Sequence, residues 1–422
     1  MVLKELRVDI AVIGGGPAGL AAALEAKRCG VEKIMIIERD TELGGILQQC
    51  IHDGFGLHRF QKRMSGGQYA QSFIDEVEQT DIEVKLDTMV LEITSENAIY
   101  ACNKQDGMLK IVCGAIILAM GCRERTASQV MIYGYRPAGV LTAGKVQQYI
   151  NMEGYLPGKN AVILGSGDIG LIMARRMTLE HIHVIGVYEV MSTPGGLTRN
   201  IVQCLNDYQI PLHLATTVTC IHGKDRIEGV TVAKVDEKRN VIPGTEEYIP
   251  CDLLVLAVGL IPENELSVKA GIEIDPHTKG PVLDNYFMTS IPGIFAAGNV
   301  AAVFDLVDYV SQSGEIAARG AAAYIKGELT KEPSFELVVP GENVNFIVPQ
   351  RLRKGECKDE TVFFMRVKTP RKMAIMEFQC GDKTLLTRRC QYVAPPEMLS
   401  CKVAVTEDGS PLRIDMKEAE IR

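Results

Sequence analysis

Residues 8–19 read Val-Asp-Ile-Ala-Val-Ile-Gly-Gly-Gly-Pro-Ala-Gly, and this stretch decides the fold. Its apolar half predicts a strand that stops at a glycine turn, and Pro17 stands where the first turn of a helix tolerates a missing N–H. An alanine- and leucine-rich helix follows, and a second apolar strand, residues 33–37, ends at Glu38. Strand, glycine turn, helix, strand and acid in this order predict a dinucleotide-binding fold.

Each part of this pattern has a chemical role. Gly14 makes the tight turn, Gly16 lets a pyrophosphate approach the backbone, and Gly19 lets the helix pack closely on the strand. The start of the helix supplies amide donors and the positive end of its dipole to the phosphates. Glu38 follows Gly19 by 38 − 19 = 19 residues and can accept hydrogen bonds from ribose hydroxyls.

The same pattern occurs a second time. The strand 160–164 runs into Gly-Ser-Gly-Asp-Ile-Gly at 165–170, a predicted helix covers 171–179, and the strand 183–188 ends at Glu189. This acid again follows the last glycine of its motif by 189 − 170 = 19 residues. Two copies with equal internal spacing predict two nucleotide-binding folds rather than two ordinary glycine-rich turns.

Glu189 also bears on the choice of nucleotide. A carboxylate at the end of this strand repels a 2′-phosphate and suits the free 2′-hydroxyl of NAD. The next arginine along the chain is Arg199, ten residues further on. We therefore expect the second fold to prefer NAD.

Three further strands end at glycine turns. Residues 115–121 and 252–259 are short apolar runs that end in Ala-x-Gly, and residues 293–299 form a third, which leads to a predicted helix at 312–326. Glycine at the carboxyl edge of a sheet lets the backbone approach a ligand.

Length and charge exclude several classes of protein. A chain of 422 residues allows about three domains,. Its net charge of 45 − 53 = −8 provides no basic surplus for nucleic acid or an anionic membrane,. The apolar runs are shorter than the roughly 20 residues of a transmembrane helix, so no membrane span is expected. The charged opening residues argue against a signal peptide.

Cysteine usage indicates a reducing compartment. Twelve cysteines in 422 residues are too dilute for a disulfide scaffold, and no Cys-x-x-Cys pair occurs,. A cytoplasmic location is the simplest interpretation.

Taken in order, these motifs resemble the pyridine nucleotide–disulfide oxidoreductases over residues 7 to 328. The resemblance implies an α/β fold with two Rossmann-like domains, in which the NAD-binding domain (125–251) is inserted in a split FAD-binding domain (1–124 and 252–330). A small all-β domain is expected at 331–422. In the family the first glycine motif binds FAD and the second binds NAD(P).

Site residues are carried over position by position from that resemblance. The positions assigned to FAD are Gly14, Gly16, Pro17, Ala18, Gly19, Glu38, Arg39, Gly45, Val90, Ala119, Gly121, Gly298, Asn299, Leu306 and Val307. The positions assigned to NAD are Gly165, Gly167, Asp168, Ile169, Glu189 and Gly259. The backbone at Leu306 and Val307, at a helix start, is expected to face the flavin pyrimidine and stabilise negative charge on the reduced ring.

The chain departs from the family at two places. Most members end the last motif with Gly-Asp, and here Asn299 follows Gly298; an asparagine still hydrogen-bonds a ribityl hydroxyl. Disulfide-reducing members place Cys-x4-Cys soon after the Gly-Gly that follows the acid, and here those positions are Leu47 and His52. A dithiol relay at the flavin is therefore not expected.

One thiol, Cys50, remains in this region between Leu47 and His52. A lone cysteine beside a histidine could be an activated thiolate, as in single-cysteine flavin peroxidases and NADH oxidases. The alternative is a small residue packed near the ring, because a cysteine that is not in a disulfide commonly behaves as a small hydrophobe. We favour the packing interpretation and name no catalytic side chain.

Longer phrases at 43–52, 136–144 and 298–308 are similar to the flavoprotein associated with anaerobic-type glycerol-3-phosphate dehydrogenases. They are also similar to the FAD subunits of hydrogen cyanide synthase and opine oxidase. This resemblance implies hydride exchange between NADH and FAD, with electrons passing to or from a partner dehydrogenase or electron carrier. The alternatives are a self-sufficient NADH oxidase or peroxide reductase that uses Cys50, and a flavin-bearing scaffold that senses NAD.

The tail beyond residue 334 has a different pattern. Glycine motifs end, and short runs at 343–348, 361–367, 372–380 and 384–393 predict a small antiparallel sandwich,. Its cysteines, at 357, 380, 390 and 401, lack the local pairs that are typical of zinc and iron–sulfur sites, so no metal is expected. The tail also lacks the amphipathic helix expected of a membrane-bound NADH dehydrogenase.

Overall fold

The structure is a computed structural model that describes residues 3–356, 360–405 and 409–419. Its contacts divide the chain into two units. The first unit consists of Met1–Gln48, Asp53–Cys122 and Pro262–Arg422, and the second consists of Gln49–His52 and Arg123–Ile261. The predicted fold class is confirmed: two α/β dinucleotide-binding folds and a C-terminal β-rich region.

Helices and strands within the described residues have the following bounds. The α-helices are α1 Pro17–Arg28, α2 Gly66–Glu78, α3 Ala143–Gln148, α4 Asp168–Leu179, α5 Thr198–Cys204, α6 Glu265–Lys269 and α7 Val307–Ile325. Short 3-10 segments are Gly45–Gln49, Ala127–Val130, Asn206–Tyr208 and Gly298–Val300, and Tyr149–Glu153 is a π-helical turn. The strands are β1 Lys4–Ile13, β2 Ile34–Ile37, β3 Asp53–Phe55, β4 Met64–Ser65, β5 Glu83–Lys85, β6 Met89–Ile93, β7 Ala98–Asn103, β8 Gly107–Leu118, β9 Cys122–Glu124, β10 Tyr133–Gly134, β11 Val140–Thr142, β12 Asn160–Leu164, β13 His183–Tyr188, β14 Leu212–His213, β15 Thr216–His222, β16 Gly229–Lys234, β17 Glu247–Pro250, β18 Leu253–Leu256, β19 Leu260–Pro262, β20 Ile294–Ala296, β21 Phe335–Pro340, β22 Val344–Val348, β23 Arg351–Arg353, β24 Thr361–Val367, β25 Arg371–Cys380, β26 Lys383–Val393, β27 Leu399–Val403 and β28 Leu412–Glu418.

The first unit is built on a sheet in the order β5-β2-β1-β8-β7-β6, with β20 also paired to β8. The pairs β5–β2, β2–β1, β1–β8 and β8–β20 are parallel, whereas β7 pairs antiparallel with β8 and β6 pairs antiparallel with β7. All four residues of β2 are buried, as expected where helices cover both faces of a parallel sheet,. This arrangement brings the carboxyl ends of β1, β2, β8 and β20 to one edge.

The second unit repeats the plan with the fully parallel order β11-β18-β12-β13-β14 and adds an all-β layer, β10-β15-β16-β17. Here β18 lies beside β12 as β8 lies beside β1. The domain boundary expected at residue 252 differs from this arrangement, since it assigns β18 to the first fold. All four residues of β18 are buried in the sheet of the second unit.

The C-terminal region forms two sheets, β23-β21-β28-β25-β26 and β22-β24-β27, around its own core. Phe363 of β24 and Phe378 of β25, for example, lie with ring centroids 5.4 Å apart. The four runs predicted from the sequence are strands β22, β24, β25 and β26. One expectation is corrected, because β21 and β28 pair in parallel and the region is therefore not purely antiparallel.

The C-terminal region also packs on the dinucleotide fold of its own unit. Phe364 is fully buried, and its ring centroid lies 5.1 Å from that of Phe304 and 5.6 Å from that of Tyr309. Arg353 Nη1 donates to Asp284 Oδ2 at 3.0 Å, and both side chains are 1% exposed. The same guanidinium also donates to Glu356 and to the carbonyl of Thr330. A buried ion pair therefore joins the two parts of the unit.

We expect Arg353→Met to lower the free energy of unfolding by about 3–5 kcal/mol, because the Asp284 carboxylate then stays buried without its counter-charge. Calorimetric unfolding of the flavin-loaded protein measures the effect. The control is Arg28→Met, which removes an exposed pair with Glu76 and should cost less than about 1 kcal/mol,. The double variant Asp284→Leu/Arg353→Met should recover much of the loss. A single variant as stable as the wild type would contradict this assignment.

Candidate functional site

Three glycines of the turn between β1 and α1 have different surroundings. A Cβ on Gly14, whose φ is +109°, would lie 2.4 Å from the carbonyl oxygen of Ala119. A Cβ on Gly19 would lie 1.9 Å from the carbonyl oxygen of Gly14, so α1 packs on the strand end only without a side chain there. A Cβ on Gly16 would have no atom within 4 Å. The turn is therefore packed on two sides and open at Gly16, in front of the first amides of α1.

Glu38, at the end of β2, is 6% exposed and lies beside this turn. Its Oε2 accepts from the backbone N–H of Gly15 at 2.6 Å, and its Oε1 accepts from the N–H of Asp40 at 2.9 Å. Its carbonyl accepts from the N–H of Thr88, two residues before Val90. The carboxylate is thus fixed by backbone donors and keeps acceptor sites for a ligand. Arg39 is exposed at the surface.

Two further glycines, Gly45 and Gly298, lie beside the start of α1. A Cβ on Gly45 would lie 3.2 Å from Gly16 Cα, and a Cβ on Gly298 would lie 2.7 Å from Ala18 Cβ. Gly298 also donates its N–H to the buried hydroxyl of Ser313 in α7 at 2.8 Å. Three separate stretches of the chain therefore meet at the start of α1.

Asn299 is held from both ends of its amide. Its Oδ1 accepts from the N–H of Phe304 at 3.0 Å, and its Nδ2 donates to Cys122 Sγ at 3.4 Å. The first of these bonds fixes the loop that leads to Leu306, the N-cap residue of α7, and Val307, its first residue. The asparagine that replaces the usual aspartate thus has a structural role.

Several of the positions predicted to bind FAD have a geometry that suits such a group. Open space at Gly16 and at Gly121, amides at the start of α1 and a fixed carboxylate at Glu38 form a cradle with donors for phosphates and an acceptor for ribose,. Ala119 lies against Gly14, and Pro17 begins α1. The structure brings Gly14, Gly16, Ala18, Gly19, Glu38, Gly45, Ala119 and Gly298 together, and Arg39 is exposed.

The second unit reproduces this geometry. A Cβ on Gly165, whose φ is +102°, would lie 2.1 Å from the carbonyl oxygen of Ala257, and one on Gly170 would lie 2.4 Å from that of Gly165. A Cβ on Gly167 would again meet nothing within 4 Å. The predicted NAD positions Asp168 and Ile169 open α4 directly behind this space. Gly259, at φ +101°, follows β18 and accepts a hydrogen bond from the N–H of Arg125.

Glu189 occupies the place that Glu38 has in the first unit. It is 7% exposed; its Oε2 accepts from Ser166 N at 2.9 Å and from Ser166 Oγ at 2.6 Å, and its Oε1 accepts from Met191 N at 2.9 Å. The serine hydroxyl in turn accepts from the N–H of Gly195 at 2.8 Å. The acid and the glycine turn are therefore tied to a segment that follows the strand.

That segment, residues 192–197, was missed by the sequence analysis, and we call it the strap. Leu197 N and Asn200 Nδ2 both donate to Asp168 Oδ1, at 2.9 and 2.6 Å. A Cβ on Gly196 would lie 2.9 Å from the carbonyl oxygen of Ser166. The available signal was the Gly195-Gly196 pair, since adjacent glycines mark close backbone approach.

Cys50 is 8% exposed, and its Sγ lies 3.7 Å from Gln147 Oε1, to which it donates a weak hydrogen bond. Burial raises the pKa of this thiol to about 12. A thiolate is the reactive form of cysteine, so this environment favours a packed thiol over an activated nucleophile. Leu47, at the first dithiol position of disulfide-reducing relatives, is buried as well.

The rest of the described chain adds two observations. In the described ranges, no group of three or more His, Cys, Asp or Glu side chains is placed to hold a metal ion. Cys357, one of the four C-terminal cysteines, lies outside the described residues. Among the helices of the described residues, none is long and apolar enough to cross a membrane.

The chain is similar in sequence to a family of known proteins and to individual members of known enzymes. A family profile described as pyridine nucleotide-disulphide oxidoreductase matches residues 8–319. One of the subunits of the opine oxidase of Agrobacterium tumefaciens (strain Ach5) is 25% identical over 353 residues, which cover 77% of this chain and 69% of that protein. The HcnB protein of the hydrogen cyanide synthase of Pseudomonas protegens is 26% identical over 281 residues, which cover 62% of this chain but only 58% of HcnB.

Among solved structures, the thioredoxin reductase of T. acidophilum has a similar fold. The TM-score is 0.62 at 23% sequence identity, and the match covers 75% of this chain and 98% of that one.

We expect Gly16→Leu to give a folded protein that has lost most of its FAD. Its φ of −78° suits any residue and its surroundings are open, so the side chain folds in place but occupies the approach to α1. The flavin absorbance of the purified protein and its circular dichroism measure the two effects. The matched variant Gly19→Leu should fail to fold, because its side chain meets the Gly14 carbonyl. Full flavin occupancy in Gly16→Leu would show that the site is misplaced.

Proposed function

Because this chain belongs to the pyridine nucleotide-disulphide oxidoreductase family, we propose that it transfers hydride between NADH and FAD and exchanges electrons with a partner protein. Oxidoreductase activity that depends on FAD and NAD(P) follows from the family. The preference for NADH, the assignment of each nucleotide to its glycine turn and the partner are our proposals. We also propose a cytoplasmic location, because the cysteines are dilute in the sequence and no Cys-x-x-Cys pair occurs.

One observation carries the proposal: each unit holds a glycine turn and a buried acid in the same arrangement. In each turn the first and last glycines of the motif are packed against carbonyl oxygens. The glycine two residues after the first, Gly16 or Gly167, faces open space. In both, the acid accepts a backbone N–H from the residue that follows the first glycine. Two such sites are suited to two nucleotides, a resident flavin and an exchangeable pyridine nucleotide.

The residues position the nucleotides and need not transfer protons. FAD, when bound, supplies the hydride chemistry. The first amides of α1 and α4 are oriented to hold pyrophosphates, and Glu38 and Glu189 are oriented to hold ribose hydroxyls. The amino end of α7 at Leu306 and Val307 favours negative charge in front of it.

A partner protein is favoured over disulfide reduction. Leu47 and His52 stand at the dithiol positions of disulfide-reducing relatives, and Cys50 lies in an environment that keeps its thiol protonated. The opine oxidase relative and HcnB are both subunits of larger enzymes by name, although this chain spans 69% and 58% of their lengths. The phrases at 43–52 and 298–308 lead us to propose a complex of the glycerol-3-phosphate dehydrogenase type. Isolation of the native complex under mild conditions, followed by identification of its subunits, tests this assignment.

The rival proposal is a self-sufficient NADH oxidase or peroxide reductase that uses Cys50. It needs a thiolate near neutral pH, which the burial of this residue disfavours,. An NAD-sensing scaffold is the non-catalytic rival, and it predicts almost no NADH consumption with any electron acceptor.

We expect anaerobic titration with NADH to deliver two electrons per FAD in the wild type and in Cys50→Ser alike. The thiol, whose pKa is raised to about 12, stays protonated well below that pH, so the rate of flavin reduction should show no cysteine titration between pH 6 and 9. Spectrophotometric titration and stopped-flow traces supply both numbers. Uptake of four electrons in the wild type and two in the variant would establish the rival proposal.

We expect Glu189→Ala to weaken NADH binding by about 1.5–3 kcal/mol, the contribution of hydrogen bonds to a charged group. The same change removes repulsion of a 2′-phosphate, so discrimination against NADPH should fall. Stopped-flow flavin reduction over a range of concentrations of each nucleotide measures both effects. Glu38→Ala is the matched control, since it should lower flavin occupancy instead. Equal reduction rates with NADH and NADPH in the wild type would refute the preference.

A further inference from the structure

The two nucleotide acids differ in the number of protein donors that they accept. Among the described residues, the Glu38 carboxylate accepts two hydrogen bonds, one on each oxygen. The Glu189 carboxylate accepts three, because Oε2 receives both the N–H and the hydroxyl of Ser166. The difference comes from one position, Gly15 in the first turn and Ser166 in the second.

This difference matters for a ribose diol. An ionised carboxylate has about four acceptor sites, two on each oxygen. Glu38 therefore keeps one site on each oxygen and can take both hydroxyls of a ribose. Glu189 keeps a site on Oε1 alone, because Oε2 is filled by Ser166 at 2.9 and 2.6 Å.

The identity of residue 15 is itself restricted. A Cβ on Gly15 would lie 2.5 Å from Leu43 Cδ2 and 3.1 Å from Glu38 Oε2. A side chain at this position would therefore require Leu43 to move, and as a glycine residue 15 supplies no hydroxyl to compete for the acid. The second turn accommodates Ser166, which is fully buried.

We propose that Ser166 is a specificity-determining residue that competes with the nicotinamide dinucleotide for Glu189 and so makes this nucleotide exchangeable. The inference rests on the proposed function, in which the second turn binds NAD. Before nucleotide binds, the hydroxyl satisfies the buried carboxylate. When the ribose diol arrives, that hydroxyl has to leave Oε2 before both ribose hydroxyls can be accepted. The flavin site has no such competitor, and its ligand stays bound.

A second hydrogen bond of Ser166, to the strap, offers another explanation for a change in nucleotide affinity in Ser166→Ala. Ser166 Oγ accepts from Gly195 N at 2.8 Å, so removing the hydroxyl also loosens residues 192–197. Asn200, in α5 directly after the strap, donates to the same Asp168 oxygen as Leu197 N and does not touch Glu189 in the described contacts. Asn200→Ala therefore removes the anchor at the carboxyl end of the strap and leaves Oε2 occupied.

The test measures binding of NAD⁺ and NADP⁺ to the oxidised holoenzyme by titration calorimetry, with flavin occupancy checked for each variant. Ser166→Ala is expected to lower the dissociation constant of NAD⁺ about three- to tenfold, the value of one hydrogen bond. The dissociation constant of NADP⁺ should not fall. Its 2′-phosphate replaces the ribose hydroxyl that would otherwise bond to the vacated acceptor site on Glu189 Oε2. Ser166→Thr restores a hydroxyl and should restore the wild-type dissociation constant.

Three other results would contradict the competition between Ser166 and the nucleotide, the proposed function, or both. NAD⁺ binding that is unchanged or weaker in Ser166→Ala overturns the competition and leaves the proposed function intact. An equal gain in Asn200→Ala also overturns it, because the strap would then be the cause. A wild-type holoenzyme that binds neither nucleotide overturns the proposed function and this inference together.

Discussion

Two carbonyl oxygens, those of Gly14 and Gly165, set the distance between strand and helix in the two units. A Cβ on Gly19 or Gly170 would lie 1.9 or 2.4 Å from them, far inside any possible contact. Without a side chain, each helix starts directly behind its strand end and its first amides face the open space at the middle glycine. In each unit the buried acid lies beside the start of this helix. In the first unit Gly45, Gly298 and α7 lie there as well. A single methyl group at either position would move the helix and with it the donors for the phosphates.

Much of this architecture could be predicted from the sequence, because its determinants are local. The strands β12 and β13 occur at the predicted residues, and both acids lie beside their glycine turns, since strand, turn and helix are contiguous in the chain. The expected boundary at residue 252 differs from the sheet pairing, because the apolar sequence of β18 does not indicate that its partners are β11 and β12. The parallel pairing of β21 with β28 joins strands 338–340 and 412–414, and no local pattern indicates such a partner. The strap was missed because its anchors are single side chains, Ser166 and Asp168, with ordinary spacing.

The family takes its name from a disulfide that this chain does not place beside its glycine motif. The region that carries the dithiol in other members here contributes buried, apolar or protonated groups, Leu47 and Cys50 among them. In the proposed function the glycine turns and acids bind phosphate and ribose, so they place no constraint on what receives the electrons. The acceptor can therefore change while the nucleotide sites keep their form, and the C-terminal region is free to differ from that of the disulfide reductases.

The buried pair of Arg353 with Asp284 has a consequence for the order of events on the ribosome. The carboxylate is synthesised 69 residues before its guanidinium partner. At translation rates of about 5–20 residues per second the interval is roughly 3 to 14 seconds. During it Asp284, together with Phe287 and Phe304, lacks the surface that later covers it. The surface around Asp284 and Phe304 is therefore covered only after β23 and β24 have left the exit tunnel.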